Sequence, residues 1–270
     1  MNSVKKESVL IVGCGWVGKK LGRALNKQGY TVYGTTRSIS NFSSLEIHGI
    51  QPVQFELPVQ DISTIDLPPV NSVVISTSPG RGGDRSDYPT SIKQLAQLWV
   101  DSNAQVIMYS STSAYENALG EVREHHTSPE KNSTNALIAA EGELKNALPN
   151  SVILRLSGLY GEDRHPVKYL SGRKNIKDGD APVNLVHRDD VIGVTTLVIE
   201  KDIRNEIFNV CSPEHPKKKK IYTTIAKRLE MEEPHFCDGG ADGKKVSPQK
   251  LIHQYGYSYL HPDPMNYRNN

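Results

Sequence analysis

Residues 9–22 read VLIVGCGWVGKKLG. Val9–Val12 is a continuous apolar run, the pattern of a strand buried on both faces of a parallel sheet. Gly13, Gly15 and Gly18 follow at the spacing GxGxxG. Val17, Leu21 and Leu25 then recur every fourth residue, which predicts a helix over 16–28. A strand, a glycine turn and a helix in that order form a dinucleotide-binding fingerprint. The first glycine permits the tight turn, the second lets the backbone approach a pyrophosphate, and the third lets the helix pack close to the strand. Phosphate would sit on the N–H groups at the positive end of the helix, which adds Trp16 and Val17 to the cofactor-binding candidates. A tight turn with no ligand is the bland alternative, and the position of the loop at the head of an α/β pattern argues against it.

The same pattern recurs downstream. Val73–Ile75, Val106–Tyr109 and Val152–Leu154 are further short continuous apolar runs, and Thr31–Tyr33 is a weaker one. Helical spacing separates them: Ile92, Leu95 and Trp99 within 91–101, and Leu137, Ala140, Leu144 and Leu148 within 133–148. Alternating strand and helix predicts an α/β fold, a Rossmann-type doubly wound parallel sheet. Beyond residue 156 glycine and proline become frequent, and strands are expected only at 183–186 and 207–210. A helix is expected after Arg188–Asp189–Asp190, with an acidic residue as its cap. The domains expected are a nucleotide-binding Rossmann domain over 1–156 and a smaller substrate-binding part over 157–270, partly interleaved with the first.

The chain has 270 residues, 37% of them apolar, and a formal net charge of +2. That size suits one large domain with a small annex, and the charge gives no basis for a nucleic-acid or membrane footprint. The basic run Lys217–Lys220 precedes Ile221, Ile225 and Leu229 and reads as a solvated first helical turn. The three cysteines, at 14, 211 and 237, form no metal-binding or disulfide spacing and suit a reducing compartment. With no signal pattern and no apolar stretch of the roughly 20 residues that a membrane helix needs, a cytoplasmic protein is expected.

The end of the second strand bears on the choice of nucleotide. An NAD site usually carries Asp or Glu there for the ribose hydroxyls. This chain has Thr35 and Thr36 followed by Arg37. Small hydroxyls and a guanidinium favour a 2′-phosphate, so NADP is expected over NAD. The missing acid also counts against S-adenosylmethionine. Ser76, Thr77 and Ser78, after the strand at 73–75, are expected beside the cofactor, with Gly80–Gly83 as a flexible cover.

After the strand at 106–109 comes SSTSAYEN, a hydroxyl cluster at the end of a sheet strand, where ligands of such folds lie. Several of these hydroxyls would serve only the turn backbone. With VGCGWVG, YSSTSAY, AAEGEL, LRLSGLYG, VNLVHRDDV and IFNVCSP running in order from about Val9 to about Pro264, the chain resembles an atypical short-chain dehydrogenase/reductase. The resemblance is to the extended, NAD-dependent nucleotide-sugar epimerase/dehydratase kind. It implies a Rossmann domain, a small C-terminal substrate domain and a catalytic Ser/Thr, Tyr and Lys. The Ser/Thr maps onto Ser111, four residues before Tyr115. The Tyr-x-x-x-Lys pair, aligned on Ala140–Glu141, falls on Ser133 and Leu137. Serine is too weak a base to replace tyrosinate unaided, leucine carries no charge, and Leu137 lies on the apolar stripe. Tyr115, His125, His126 and Lys131 are weak substitutes, since a motif tyrosine reads as structural and polar-loop His and Lys read as exposed.

The resemblance also places the substrate cleft after LYG, where Arg164, His165, Lys168, Tyr169 and Arg173 gather; guanidinium groups there suit a diphosphate or carboxylate. A basic surface loop is an equal alternative. Asn184 and His187 would brace the cleft. The function expected is that of an NADP-dependent reductase or nucleotide-sugar epimerase/dehydratase with a small-molecule substrate, acting as a monomer or homodimer. A non-catalytic NADP-binding sensor is the main alternative, and a transferase with another nucleotide cofactor is a third.

Overall fold

A computed structural model describes residues 7–57, 65–79 and 86–268. The expected cover over Gly80–Gly83 lies outside these residues. The strands are β1 (Ser8–Val12), β2 (Thr31–Thr36), β3 (Gln51–Gln54), β4 (Ser72–Ile75), β5 (Gln105–Ser111), β6 (Gly120–Val122), β7 (Val152–Leu156), β8 (Gly158–Tyr160), β9 (Leu185–His187), β10 (Ile207–Val210) and β11 (Lys244–Val246). The helices are α1 (Trp16–Lys27), α2 (Phe42–Glu46), α3 (Asp87–Gln97), α4 (Ala136–Ala147), α5 (Arg188–Glu200), α6 (Lys218–Arg228) and α7 (Gln249–Tyr255).

Seven strands form one sheet in the order β10-β7-β5-β4-β1-β2-β3. The pairings β1–β2, β1–β4, β2–β3 and β4–β5 are parallel. Strand order reverses between β1 and β4, which is the topological switch point of a doubly wound sheet. The continuous apolar runs behave as such runs must. Val9–Val12 and Val73–Ile75 are fully buried, as are Ile107 and Met108. The expected fold class is therefore the observed one.

The chain divides into two compact units. The first holds Met1–Ser110, Ser128–Leu154 and Thr195–Ile207; the second holds Ser111–Thr127, Arg155–Val194 and Phe208–Asn270. In the first unit Gln105 and Tyr109 enter the core with hydrogen-bond partners. Gln105 Nε2 donates to the carbonyls of Val198 and Ile203, at 2.9 and 2.7 Å. Tyr109 and Thr195 share a hydrogen bond of 2.8 Å. In the second unit, β6 pairs with β11 and β8 with β9, both in parallel. Tyr160, Leu185, Ile221, Ile225 and Tyr267 belong to its core. The guanidinium of fully buried Arg155 donates to the Tyr115 hydroxyl at 2.9 Å and to the carbonyls of Glu124 and Thr127.

Several boundaries differ from expectation. Helix α3 begins at Asp87 and ends before Trp99, whose buried ring belongs to the following turn. Helix α4 begins at Ala136, because the Asn135 side chain accepts the N–H groups of Leu137 and Ile138 as an N-cap. Helix α5 begins at Arg188, directly after β9, so Asp189 and Asp190 lie in its first turn rather than at its cap. Strand β3 was not foreseen: QPVQ is polar at both ends and sits at the sheet edge.

Candidate functional site

A cleft of about 630 Å³ in the first unit is walled by Gly13, Cys14 and Gly15 after β1, Thr35, Thr36 and Arg37 at the end of β2, and Thr77, Ser78 and Pro79 after β4. It thus occupies the switch point and has the volume of a small-molecule site. Gly13 has φ +84° and an added Cβ would stand 3.0 Å from Thr77 Cγ2, so the turn requires glycine. At Gly15 an added Cβ would meet nothing within 4 Å, so the backbone there is bare toward open space. An added Cβ at Gly18 would lie 3.1 Å from Ile11 Cγ2, where helix meets strand. Gly13 thus sits in a tight turn, Gly15 leaves its backbone open, and Gly18 lies where helix meets strand.

Gly15 is also the N-cap of α1, and no side chain caps that helix. Its leading N–H groups and dipole therefore suit an anion. Thr77 Oγ1 is a buried hydroxyl oxygen with no hydrogen-bond partner among the described residues. A bare glycine backbone, an uncapped helix start and an orphaned hydroxyl form a donor set that fits a phosphorylated ligand.

The remaining cleft residues divide by role. The Thr35 hydroxyl accepts the Gly13 N–H at 2.8 Å, so its main task is to brace the glycine turn. Thr36 Oγ1 accepts from Asn41 Nδ2 at 3.2 Å, and Arg37 is exposed. Trp16, Val17, Gly18 and Ser76 are not among the walls; Val17 and Gly18 are buried against the sheet side of α1. Asn41, Glu56 and Asp87 line the cleft without having been foreseen, because no local motif marks them. Burial pushes the Cys14 thiol up to about 12, which leaves it a neutral packing group.

At the end of β5 the hydroxyls are engaged locally. Ser111 Oγ accepts the Ser113 N–H at 3.1 Å and donates to Ser113 Oγ at 3.2 Å. Buried Ser110 donates to Glu141 at 2.6 Å. Tyr115 is buried, and its hydroxyl donates to Asn209 Oδ1 at 2.7 Å while accepting from Arg155. Burial raises its pKa, which keeps the hydroxyl protonated near neutral pH. Ser133 lies in the turn before the Asn135 cap and is not helical, and Leu137 is buried in α4. His125, His126 and Lys131 are exposed.

In the second unit the proposed substrate residues separate. His165 is fully buried against Tyr160, Tyr222 and Tyr267, which corrects its placing in a cleft: its ring is packed among aromatics. The Asn184 amide donates to the Lys244 carbonyl and accepts from the Val246 N–H, both at 2.8 Å, so it holds β11 in place. Tyr169 and Arg173 are exposed, and Arg164 is partly buried in the turn of Gly161.

No protein-family model matches the chain. Protein YeeZ of Escherichia coli K12 is 34% identical over 273 aligned positions, which cover 96% of this chain and 98% of that protein. The chain belongs to the YeeZ family. Solved structures share the fold of this YeeZ-family chain at lower identity. The human epimerase family protein SDR39U1, solved with NADPH, is 17% identical with a TM-score of 0.71, covering 96% of both chains. UDP-glucuronic acid 4-epimerase from Bacillus cereus, solved with NAD, is 22% identical with a TM-score of 0.73, covering 96% of this chain and 94% of the other. Among the described residues no helix of the YeeZ-family chain is long and apolar enough to cross a membrane.

Proposed function

We propose that this YeeZ-family chain binds a nicotinamide dinucleotide in the switch-point cleft, with NADP(H) preferred over NAD(H). The observation that carries this is a bare glycine turn facing a β2 end with Arg37 in place of a ribose-binding acid. Two proteins of like fold, the human one with NADPH and the Bacillus cereus one with NAD, lend support to the ligand class. Gly13, Gly15 and the start of α1 would hold the pyrophosphate, and Thr36 and Arg37 the substituted ribose. When bound, the nicotinamide supplies hydride exchange with a carbon centre. The activity this supports is that of a reductase or nucleotide-sugar epimerase/dehydratase in an atypical branch, acting on a small molecule in the cytoplasm. Ser111 would hold the reacting hydroxyl or carbonyl. Arg164, Tyr169 and Arg173 are the candidates for an anionic substrate group.

A non-catalytic role as an NADP(H) sensor is supported by one specific observation. Where the family places its tyrosine and lysine, this chain has a non-helical serine and a buried leucine. Neither supplies a proton relay.

Thermal unfolding with NADP⁺, NAD⁺ or S-adenosylmethionine, each alone, tests the ligand. At about 100 times its dissociation constant a ligand adds roughly 2.7 kcal/mol, several degrees in midpoint. A larger shift with NADP⁺ than with NAD⁺ is expected, and Arg37→Ala should erase most of the difference by weakening NADP⁺ about tenfold or more. No shift with either nicotinamide nucleotide would overturn the reading. A shift with S-adenosylmethionine alone would replace it with a transferase.

A further inference from the structure

The second unit contains a cluster that the nucleotide cleft does not use. His187 is the last residue of β9, and Asp189 follows two positions later in the first turn of α5. His261 comes from the segment after α7. Asp189 Oδ2 stands 3.9 Å from His187 Nδ1 and 4.0 Å from His261 Nε2. The two imidazole ring centroids are 3.6 Å apart. One ligand atom from each residue lies within 4.8 Å of the other two.

We infer that His187, Asp189 and His261 bind one divalent transition-metal ion of the zinc class, joining the C-terminal segment to the β9–α5 turn. Two imidazoles and one carboxylate suit zinc, cobalt or nickel, whereas calcium and magnesium favour oxygen donors. Ligand bonds of about 2.0–2.1 Å place tetrahedral ligand atoms about 3.4 Å apart, so the three side chains need to close by about 1 Å. The side chains of Asp189 and His261 are 31% and 42% exposed, so an ion can enter from solvent and keep water as a further ligand.

The third ligand is delivered by a separate device. The Asp190 carboxylate accepts the Leu260 N–H at 2.7 Å, the His261 N–H at 3.0 Å and the Tyr257 hydroxyl at 3.1 Å. This clamp fixes the backbone of His261 opposite His187 before any ion arrives, which lowers the ordering cost of binding. Two further contacts bear on the site. His187 Nδ1 accepts the Asp189 N–H at 3.2 Å, a long bond that coordination through this atom would replace. The neighbouring Arg188 guanidinium is engaged by Glu162 at 2.9 Å, which offsets its charge.

The test uses the full chain after treatment with a chelator. Zn²⁺ is titrated by calorimetry, and Co²⁺ by its visible absorption as a probe of coordination. One ion per chain is expected, with a Co²⁺ spectrum of low-symmetry nitrogen and oxygen coordination. Asp189→Asn and His261→Ala should each weaken binding by at least about tenfold. Both side chains are partly exposed, and far-ultraviolet circular dichroism checks that the variants fold. The double variant His125→Ala/His126→Ala, at an exposed ring pair elsewhere, should bind as the parent does. Absence of saturable binding in the parent would overturn the inference. So would binding that survives both ligand substitutions, or that is lost in the His125/His126 variant.

Discussion

Gly13 and Gly15 stand two residues apart and are glycines for opposite reasons. Gly13 is confined, with φ +84° and Thr77 against its vacant Cβ position, and Gly15 faces open space. Both requirements are local, and so GxGxxG after an apolar run could be read directly from the sequence, as could Thr36 and Arg37 one strand later. His165 and Asn184 could not be read in this way. Their partners, Tyr222 and Tyr267 for the ring and Lys244 and Val246 for the amide, come from far along the chain. No local pattern links His261 to His187 either. At this scale the Ser111 hydroxyl is the group to remove. Ser111→Ala should abolish any turnover while leaving NADP⁺ affinity nearly unchanged, because none of the glycine-turn contacts involves it. Full turnover in that variant, measured beside a binding titration, would take Ser111 out of the mechanism.

Helix α4 shows how an element can be legible in its face but not in its end. The stripe Leu137, Ala140 and Leu144 is buried as its spacing requires. The start was expected at 133, but the Asn135 side chain accepts from Leu137 N at 2.9 Å and Ile138 N at 3.3 Å and fixes it at Ala136. This leaves Ser133 off the helix. Asn135→Ala should cost about 1 kcal/mol, read as a lower denaturant midpoint at unchanged slope. An unchanged midpoint would mean that the cap contributes nothing to stability. Gly142 on the same helix marks a second constraint. An added Cβ would fall 2.2 Å from Lys131 N, so the preceding loop lies directly on the helix backbone. The glycine of AAEGEL is visible in the sequence, whereas the loop that demands it is not.

For the molecule as a whole, stability should depend on pH through His165. Burial, assisted by the nearby Lys168 charge, pushes this imidazole down to about 4 from the usual 6.5. The native chain keeps the ring neutral through that interval, while the unfolded chain takes up a proton. Stability should therefore be constant above about pH 6.5 and fall as pH drops toward 4, by roughly 3 kcal/mol from this group. His165→Asn, which keeps an acceptor for the Val167 N–H, should flatten that part of the profile of unfolding free energy against pH. An unaltered slope would show that other groups set it. The doubly wound sheet was legible because most of its strands are separate apolar runs, and the β6–β11 ladder of the second unit was not, because GEV and KKV carry no such signal. Those two strands pair with each other, residues 120–122 with 244–246. On the ribosome the earlier one must therefore wait with its edge unpaired until residues 244–246 have been made. Two of its three residues are a glycine and an exposed glutamate, which make it a poor template for wrong partners during that delay.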